Sequence, residues 1–230
     1  MNAEWSGVWY HKTSLGEFII KAYIFDMDGV LCDSEEFIAE AACLMFKTVY
    51  NTEAKPFDFQ PFIGTGEDRF IGGVAKKYGI TLTMPRDKQT TYQLYADCVK
   101  GHLQPVPGVV EFIKKSAAAG IRLAVATSAD RFKMDVNLDA IGLDADIFDA
   151  LITGSDIEHK KPAPDIFLKA AEMLGVDSRD CVVFEDAVSG AQAAKAAGSY
   201  CVGLTTSFSD EILKSAGADE TIPDFRNYSL

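Results

Sequence analysis

The chain has 230 residues, of which 48% are hydrophobic and 24% charged, a composition typical of a globular protein whose core needs no disulfides or structural metal. Its formal net charge of −12 argues against non-specific binding to DNA or to anionic membranes, because both are negatively charged. If such a protein handles an anionic substrate, it must concentrate positive charge at its site, from a metal ion or a buried lysine.

The five cysteines are scattered and show no C-x-x-C spacing, so they predict neither a disulfide framework nor a zinc site. Reduced thiols are typical of cytosolic proteins, and we therefore expect a cytoplasmic protein. No apolar run is long enough to span a membrane, and the start of the chain lacks the apolar segment of a signal peptide. Residues 1–17 are interpreted as an N-terminal extension, either packed on the core or frayed.

Short apolar runs that end at polar residues predict the strands of a parallel sheet. They lie at residues 22–26, 123–127, 150–153, 181–185 and 200–204. Nearly continuous apolar runs are typical of strands buried on both faces. Helical patterns such as 164–174 and 187–197 lie between them, and each is followed by a glycine. This alternation predicts an α/β fold with a doubly wound, parallel, Rossmann-like sheet.

Residues 34–103 interrupt the alternation with three successive helical patterns. These are Glu35–Tyr50, Gly66–Tyr78 and Arg86–Lys100. They predict a helical domain inserted after the first strand, over the carboxyl edge of the sheet, where open α/β folds bind their ligands. Residues 18–33 and 104–230 would then form the core domain, with hinges near Asp33–Ser34 and Gln104–Pro107.

Two carboxylates follow the first predicted strand. Asp26 ends the strand, and Asp28 comes two residues later, before Gly29. Carboxylates this close repel each other unless a cation lies between them. Oxygen ligands of this kind suit Mg²⁺, which leaves its remaining positions to water and phosphate oxygens. The sequence therefore predicts a magnesium site at this edge.

Polar residues also follow the later strands. Thr127 and Ser128 offer hydroxyl and N–H groups to an anion, Lys161 lies on a proline-stiffened loop, and Glu185 and Asp186 add carboxylates. Each feature alone has an ordinary explanation as a helix cap, a turn or a solvated charge. Together, in this order, they supply a nucleophile, a metal site, an anion clamp and an acid/base group. This set predicts phosphoryl transfer.

With these motifs the chain resembles the haloacid dehalogenase superfamily, in the subgroup of β-phosphoglucomutase-like phosphatases. The stretches that resemble its four motifs are 25–31, 127–128, 161–165 and 185–186 followed by Gly190. The resemblance covers residues 18–213, nearly the whole chain. It implies that the helical insertion is a cap domain, which closes over the substrate and excludes water.

The resemblance also implies roles for single residues. Asp26 would be the nucleophile that forms an aspartyl-phosphate, and Asp28 would be the general acid and base. The phosphoryl group would be held by Thr127, Ser128 and Lys161. The Mg²⁺ cofactor would be bound by Asp26, Asp28, Glu185 and Asp186. Because dehalogenases of the superfamily lack an acid/base aspartate at the second position, Asp28 favours phosphate ester chemistry.

The cap residues bear on the reaction type. By resemblance, a β-phosphoglucomutase would carry an arginine where this chain has Glu67, a histidine at Ile38 and a lysine at Asp130. These differences favour a phosphatase of a small phosphorylated metabolite, such as a sugar phosphate. One alternative is a sugar phosphomutase that binds the second phosphate through Arg69 or Arg131. Another is a low-turnover binding module, but such a module would not need the full set of catalytic groups.

The substrate itself is expected to meet residues near the cap. The candidates are Ser34, Glu67, Arg69 and Arg131. We expect the protein to act as a monomer on a small phosphorylated metabolite, with neither a nucleic acid nor a membrane as partner.

Overall fold

An antiparallel hairpin precedes the main sheet in the computed structural model, which describes residues 9–13, 16–62 and 66–228. Strand β1 (Trp9–Thr13) pairs with β2 (Gly16–Ile20), with Trp9 opposite Ile20. The boundary predicted at residue 18 therefore falls inside β2. Residues 1–8, 14 and 15 of the predicted extension lie outside the described residues, and its role stays a prediction.

Six parallel strands form the central sheet. They are β3 (Ala22–Phe25), β4 (Arg122–Ala126), β5 (Ala150–Ile152), β6 (Cys181–Glu185), β7 (Tyr200–Leu204) and β8 (Glu220–Ile222). Their order is β5-β4-β3-β6-β7-β8, so the first strand in the chain lies in the middle. All four residues of β3 are buried, as expected for a strand covered on both faces. Strand β8 was not predicted, because Glu220–Ile222 is short, half-buried and lacks an apolar run.

Three helices form the insertion after β3. They are α1 (Glu35–Tyr50), α2 (Glu67–Lys77) and α3 (Arg86–Val99), with a 3₁₀ segment at Pro56–Phe62. The connectors into and out of this unit lie side by side, since the Val106 N–H donates to the Leu31 carbonyl at 2.9 Å. The predicted helical cap is confirmed, while its proposed domain bounds stay a prediction.

The remaining helices cover both faces of the sheet. They are α4 (Val109–Ala118), α5 (Arg131–Ala140), α6 (Asp165–Leu174), α7 (Val188–Ala196) and α8 (Asp210–Ala216). On one face, the Phe25 and Phe184 rings stack with centroids 4.9 Å apart, and Phe112 of α4 packs against Phe184. On the other face, Ile24 belongs to a second apolar cluster with residues of α6, α7 and α8. The doubly wound α/β prediction is therefore confirmed.

The cap touches the core along helices α3 and α5. The ring of Tyr92 stacks on that of Phe132 with centroids 5.5 Å apart, and Lys88 lies 2.8 Å from carboxylate oxygens of both Asp68 and Asp130. This contact holds the cap above the carboxyl edge of the sheet. Within the described part of the chain, no helix is long and apolar enough to cross a membrane.

Candidate active site

The loop after β3 presents Asp26 at the carboxyl edge of the central strand. The Asp26 N–H donates to the Phe184 carbonyl at 3.0 Å, which continues the pairing of β3 with β6. The Met27 carbonyl then accepts N–H groups from the next turn, including that of Leu31 at 2.9 Å. The Asp26 carboxylate is buried and lines a cleft at this edge of the sheet.

Lys161 joins two of the predicted carboxylates. Its Nζ lies 2.6 Å from Asp26 Oδ1 and 2.5 Å from Glu185 Oε1, and its side chain is only 7% exposed. Burial by itself would lower the pKa of this ammonium, but the negative charges of Asp26 and Glu185 outweigh it and raise the pKa. Lys161 therefore stays charged next to the candidate nucleophile.

Glu185 orients this lysine. Its second oxygen, Oε2, accepts the backbone N–H groups of Asp186 and Ala187, each at 2.8 Å. Both Glu185 oxygens are thus engaged by protein groups, and the side chain is buried. The structure places Glu185 as the residue that holds Lys161, while a direct bond from Glu185 to a metal stays a prediction.

Gly190 in α7 lies against the Glu185 carboxylate, and a methyl group at this position would overlap it. We expect Gly190→Ala to lower the free energy of unfolding by about 1–3 kcal/mol and to reduce turnover, because it displaces the partner of Lys161. Gly72→Ala in α2 is the matched control, since no atom lies within 4 Å of its added methyl. That control should gain about 0.5–1 kcal/mol. Chemical denaturation of both variants measures the difference, and equal effects would contradict the proposed contact.

Asp186 faces Asp26 across the edge of the sheet. The Ser207 hydroxyl donates to its Oδ2, and Gly29, at a φ of +77°, leaves room where a methyl would overlap the same oxygen. Burial is the main cause that raises the pKa of Asp186, with the charges of Glu185 and Asp26 adding to it. If Asp26, Glu185 and Asp186 are all ionised, the site contains more negative charge than Lys161 offsets.

The surroundings of Asp26 likewise favour its protonated form in the absence of a metal ion. Burial raises its pKa to about 7, the charge of Lys161 works against this, and the charge of Glu185 adds to it. A divalent cation between Asp26 and Asp186 would offset this charge. No group of three or more His, Cys, Asp or Glu side chains within residues 9–13, 16–62 and 66–228 is placed to hold a metal by itself. Mg²⁺ typically takes one or two carboxylates and fills the rest of its positions with water and phosphate oxygens, so Asp26 and Asp186 are the residues that could hold it.

The carboxylate of Asp28 is held by two groups. The Ser34 hydroxyl donates to Oδ1, and Lys133 Nζ lies 2.9 Å from both Oδ1 and Oδ2. Ser34 is fully buried in this contact, so its predicted meeting with substrate stays a prediction. The sequence pattern alone did not indicate Lys133 as a residue of the site.

Thr127 and Ser128 lie beside Asp26, as predicted, at the end of β4. The Thr127 N–H donates to the Ile152 carbonyl at 3.0 Å, and its hydroxyl oxygen accepts the Ala129 N–H at 3.1 Å. These bonds fix a tight turn after the strand. Both residues line the same cleft as Lys161, where an anion would meet their polar groups.

These side chains surround one cleft of about 530 Å³ between core and cap. The core contributes the acidic residues and Lys161, and the cap contributes Glu35 and Gln60. The lining further includes Pro162, Ala187, Val188, Ser189, Gln192, Ser207 and Phe208. Among the described residues of this lining, Lys161 is the one cation. Burial, followed by the charge of Asp28, raises the pKa of Glu35 to about 7.

Three of the predicted substrate residues lie on or near the cap. Arg69 has an exposed side chain and does not belong to the cleft lining described above. Arg131 pairs with Asp135 at 2.7 Å on the exposed side of α5. Glu67 begins α2, but its side chain lies outside the described ones. The roles of all three stay predictions.

Comparison with known proteins gives one consistent family. Residues 20–198 match the model of the haloacid dehalogenase-like hydrolases. The chain is 42% identical, over 92% of its length, to part of the chloroplastic protein SUPPRESSOR OF QUENCHING 1 of Arabidopsis thaliana, and spans only 20% of that relative. It is 31% identical to a phosphoglycolate phosphatase of Neisseria meningitidis, with 90% of this chain and 88% of the relative covered.

A solved structure agrees with these matches. CbbY from Rhodobacter sphaeroides, determined in complex with phosphate, superposes with a TM-score of 0.78 at 27% identity, covering 90% of this chain and 96% of that chain. The predictions of the family and of a phosphatase-type enzyme are confirmed. The chain belongs to the haloacid dehalogenase-like hydrolases, in the group that includes the β-phosphoglucomutase-like phosphatases.

Proposed function

We propose that the protein is a Mg²⁺-dependent phosphatase that hydrolyses a small phosphomonoester, such as a sugar phosphate, through an aspartyl-phosphate at Asp26. The observation that carries this proposal is the buried contact of Lys161 with Asp26 at 2.6 Å, in a cleft that Asp28 also lines. This contact supports the proposal, because Asp26 as nucleophile, Lys161 as fixed cation and Asp28 as acid/base group would then act on one bound phosphate.

The first half of the reaction transfers the phosphoryl group to the protein. An Asp26 carboxylate oxygen attacks phosphorus, and the bond from phosphorus to the leaving-group oxygen breaks. Asp28 gives that oxygen its proton, so that the product leaves as an alcohol. Lys161 and the polar groups of Thr127 and Ser128 hold the phosphoryl oxygens, whose charge they partly offset.

The second half returns Asp26 to its starting state. The oxygen of a water molecule attacks phosphorus, and Asp28 takes the proton that the water loses. The bond from phosphorus to Asp26 then breaks and inorganic phosphate leaves. Asp26 and Asp186 would hold Mg²⁺, together with the backbone near Asp28. When bound, the ion supplies positive charge to the phosphoryl oxygens.

The cleft favours hydrolysis over mutase chemistry. A mutase has to bind both ends of a bisphosphate, and the second phosphate would need its own cation. Lys161 is the one cation in the described lining, whereas Arg131 is paired with Asp135 outside it. We further propose a cytoplasmic protein, because its five cysteines are free thiols, as a reducing compartment maintains them.

The proposal is tested by phosphate release from a panel of phosphorylated metabolites with Mg²⁺, including sugar monophosphates and phosphoglycolate. We expect release from one compound class, loss of release with EDTA, and recovery when excess Mg²⁺ is added, because the acidic site needs a cation. Activity that is indifferent to chelation would contradict the metal role.

A second arm separates the alternatives. Glucose 1-phosphate is supplied with a bisphosphate primer, and its isomerisation is followed. Isomerisation without net phosphate release would establish a mutase and overturn the phosphatase proposal. If neither assay gives product, the low-turnover binding module becomes the better description.

A further inference from the structure

Lys133 is a buried lysine that the reaction scheme above does not use. Its side chain is 4% exposed, and its Nζ lies 2.9 Å from each oxygen of Asp28. It does not belong to the described cleft lining, which argues against a direct contact with substrate. Burying an ammonium is costly unless it is paired, and Lys133 pairs with the acid/base residue.

The surroundings of Lys133 come from both domains. Tyr95 of cap helix α3 places its ring centroid 5.8 Å from Lys133 Nζ, and its hydroxyl donates to Asn137, one turn further along α5. The other group on Asp28 is the hydroxyl of Ser34, the residue just before α1. The carboxylate of Asp28 is thus held from the core by Lys133 and from the cap junction by Ser34.

We propose that Lys133 is a positioning residue which, together with Ser34, fixes the orientation of the Asp28 carboxylate for its two proton transfers. The inference rests on the phosphatase function proposed above. Asp28 lies on a loop, and its side chain can rotate about two bonds. Proton transfer requires its oxygen within hydrogen-bond reach of the leaving group and then of water, so a fixed carboxylate spends more time in the reactive geometry.

A purely structural role for this ion pair explains the contact less well. Replacing a buried ion pair by apolar side chains is often neutral for stability or favourable. The ion pair of Lys133 with Asp28 is therefore better explained by the proton transfers that Asp28 carries out. A positioning role and a purely structural role of Lys133 predict different results. If Lys133 positions Asp28, its loss should matter most for substrates whose leaving group needs a proton.

Lys133→Met is tested on an alkyl phosphate and on p-nitrophenyl phosphate, whose leaving group departs without a proton. For the alkyl phosphate we expect kcat to fall about 10–100-fold with KM changed less than about 3-fold, because proton donation is impaired. For p-nitrophenyl phosphate we expect a burst of one equivalent of nitrophenolate per site, followed by slow turnover. The burst appears because attack on Asp26 needs no acid, whereas hydrolysis of the aspartyl-phosphate needs Asp28 as base.

A double-mutant cycle with Asp28→Asn then tests whether Lys133 acts through Asp28. Lys133→Met should add no further loss in the Asp28→Asn background, and the double variant keeps the buried charges balanced. Lys114→Met, an exposed lysine on α4, serves as control and should behave like wild type. Additive losses, or equal losses on both substrates without a burst, would overturn the role of Lys133.

If Lys133→Met does not fold, Ser34→Ala provides a second test of whether the groups that hold Asp28 matter for proton transfer. It removes the other donor to Asp28 without changing the charge, and should show the same substrate dependence on a smaller scale. An unchanged substrate dependence in a folded Ser34→Ala enzyme would then overturn the positioning role. Absence of phosphate release by the wild-type enzyme from every compound of the metabolite panel, as well as from these two substrates, would instead overturn the phosphatase function, and the role of Lys133 with it.

Discussion

Asp26→Asn is expected to abolish phosphate release, with a loss on the order of 10⁴-fold or more, while the fold stays intact. The amide cannot form an aspartyl-phosphate, although its oxygen can still accept a hydrogen bond from Lys161. Steady-state phosphate release under saturating Mg²⁺ measures this loss. Asp146→Asn, an exposed aspartate at the opposite edge of the sheet, is the matched control and should keep wild-type activity.

The same variant should show a pH-dependent gain in stability in the absence of metal. Because burial raises the pKa of Asp26 to about 7, above the usual value of 3.8, the folded protein binds this proton more tightly than the unfolded chain. Wild-type stability is therefore lost as the pH rises through about 7. Asparagine does not titrate, so the melting temperature of the variant should exceed that of wild type by more at about pH 8 than at about pH 5. Normal turnover in Asp26→Asn would refute the covalent mechanism.

Lys161→Met is expected to lose turnover by about 10³-fold or more and to destabilise the folded protein by about 3–5 kcal/mol near neutral pH. The substitution leaves Asp26 and Glu185 buried without the ammonium that lies within 2.6 Å of both. Lys161 lowers the pKa of Asp26, so its removal raises that pKa further. Chemical denaturation measures the change in the free energy of unfolding.

The pH dependence of this loss distinguishes the ion pair from simple packing. In Lys161→Met the folded state gains affinity for protons at Asp26, so the destabilisation should shrink at about pH 5, where the Asp26 carboxyl is protonated, and grow at about pH 8. Lys169→Met on α6 is the matched control, because Lys169 is 41% exposed and pairs with Glu172 at 2.9 Å on the surface. That control should change stability by less than about 1 kcal/mol. Equal destabilisation at both pH values would show that packing, and not charge, was lost.

The central strands and their terminal acids were readable from the sequence because they follow simple local rules. A buried parallel strand requires an uninterrupted apolar run, and the residue that ends it has to lie at the edge of the sheet. The pattern of residues alone was enough to place Asp26 and Thr127 in this way. Lys161 required in addition the two prolines that follow it, Pro162 and Pro164, and the structure brings it to Asp26 as the motif order suggested.

Lys133 could not be read in this way, because its partner lies 105 residues away. A single lysine in an amphipathic helix is usually solvated, and only its position beside Met134 and Asn137, on the inner face of α5, hints at burial. The cap residues of the cleft were missed for a related reason. Glu35 and Gln60 reach the cleft through the packing of the cap on the core, which local sequence does not encode.

The central position of β3 has a consequence for how the polypeptide reaches this structure. Ala22 pairs with Arg122 of β4 on one side and with Cys181 of β6 on the other. Strand β3 therefore cannot pair until these strands, which lie about 100 and 160 residues further along the chain, have been synthesised. The three cap helices lie within one continuous stretch of chain and can form from neighbouring contacts. Long-range pairing is slow because the entropy of closing the intervening chain must be overcome first. During synthesis, we therefore expect contacts within the inserted unit to form before the strands of the sheet pair.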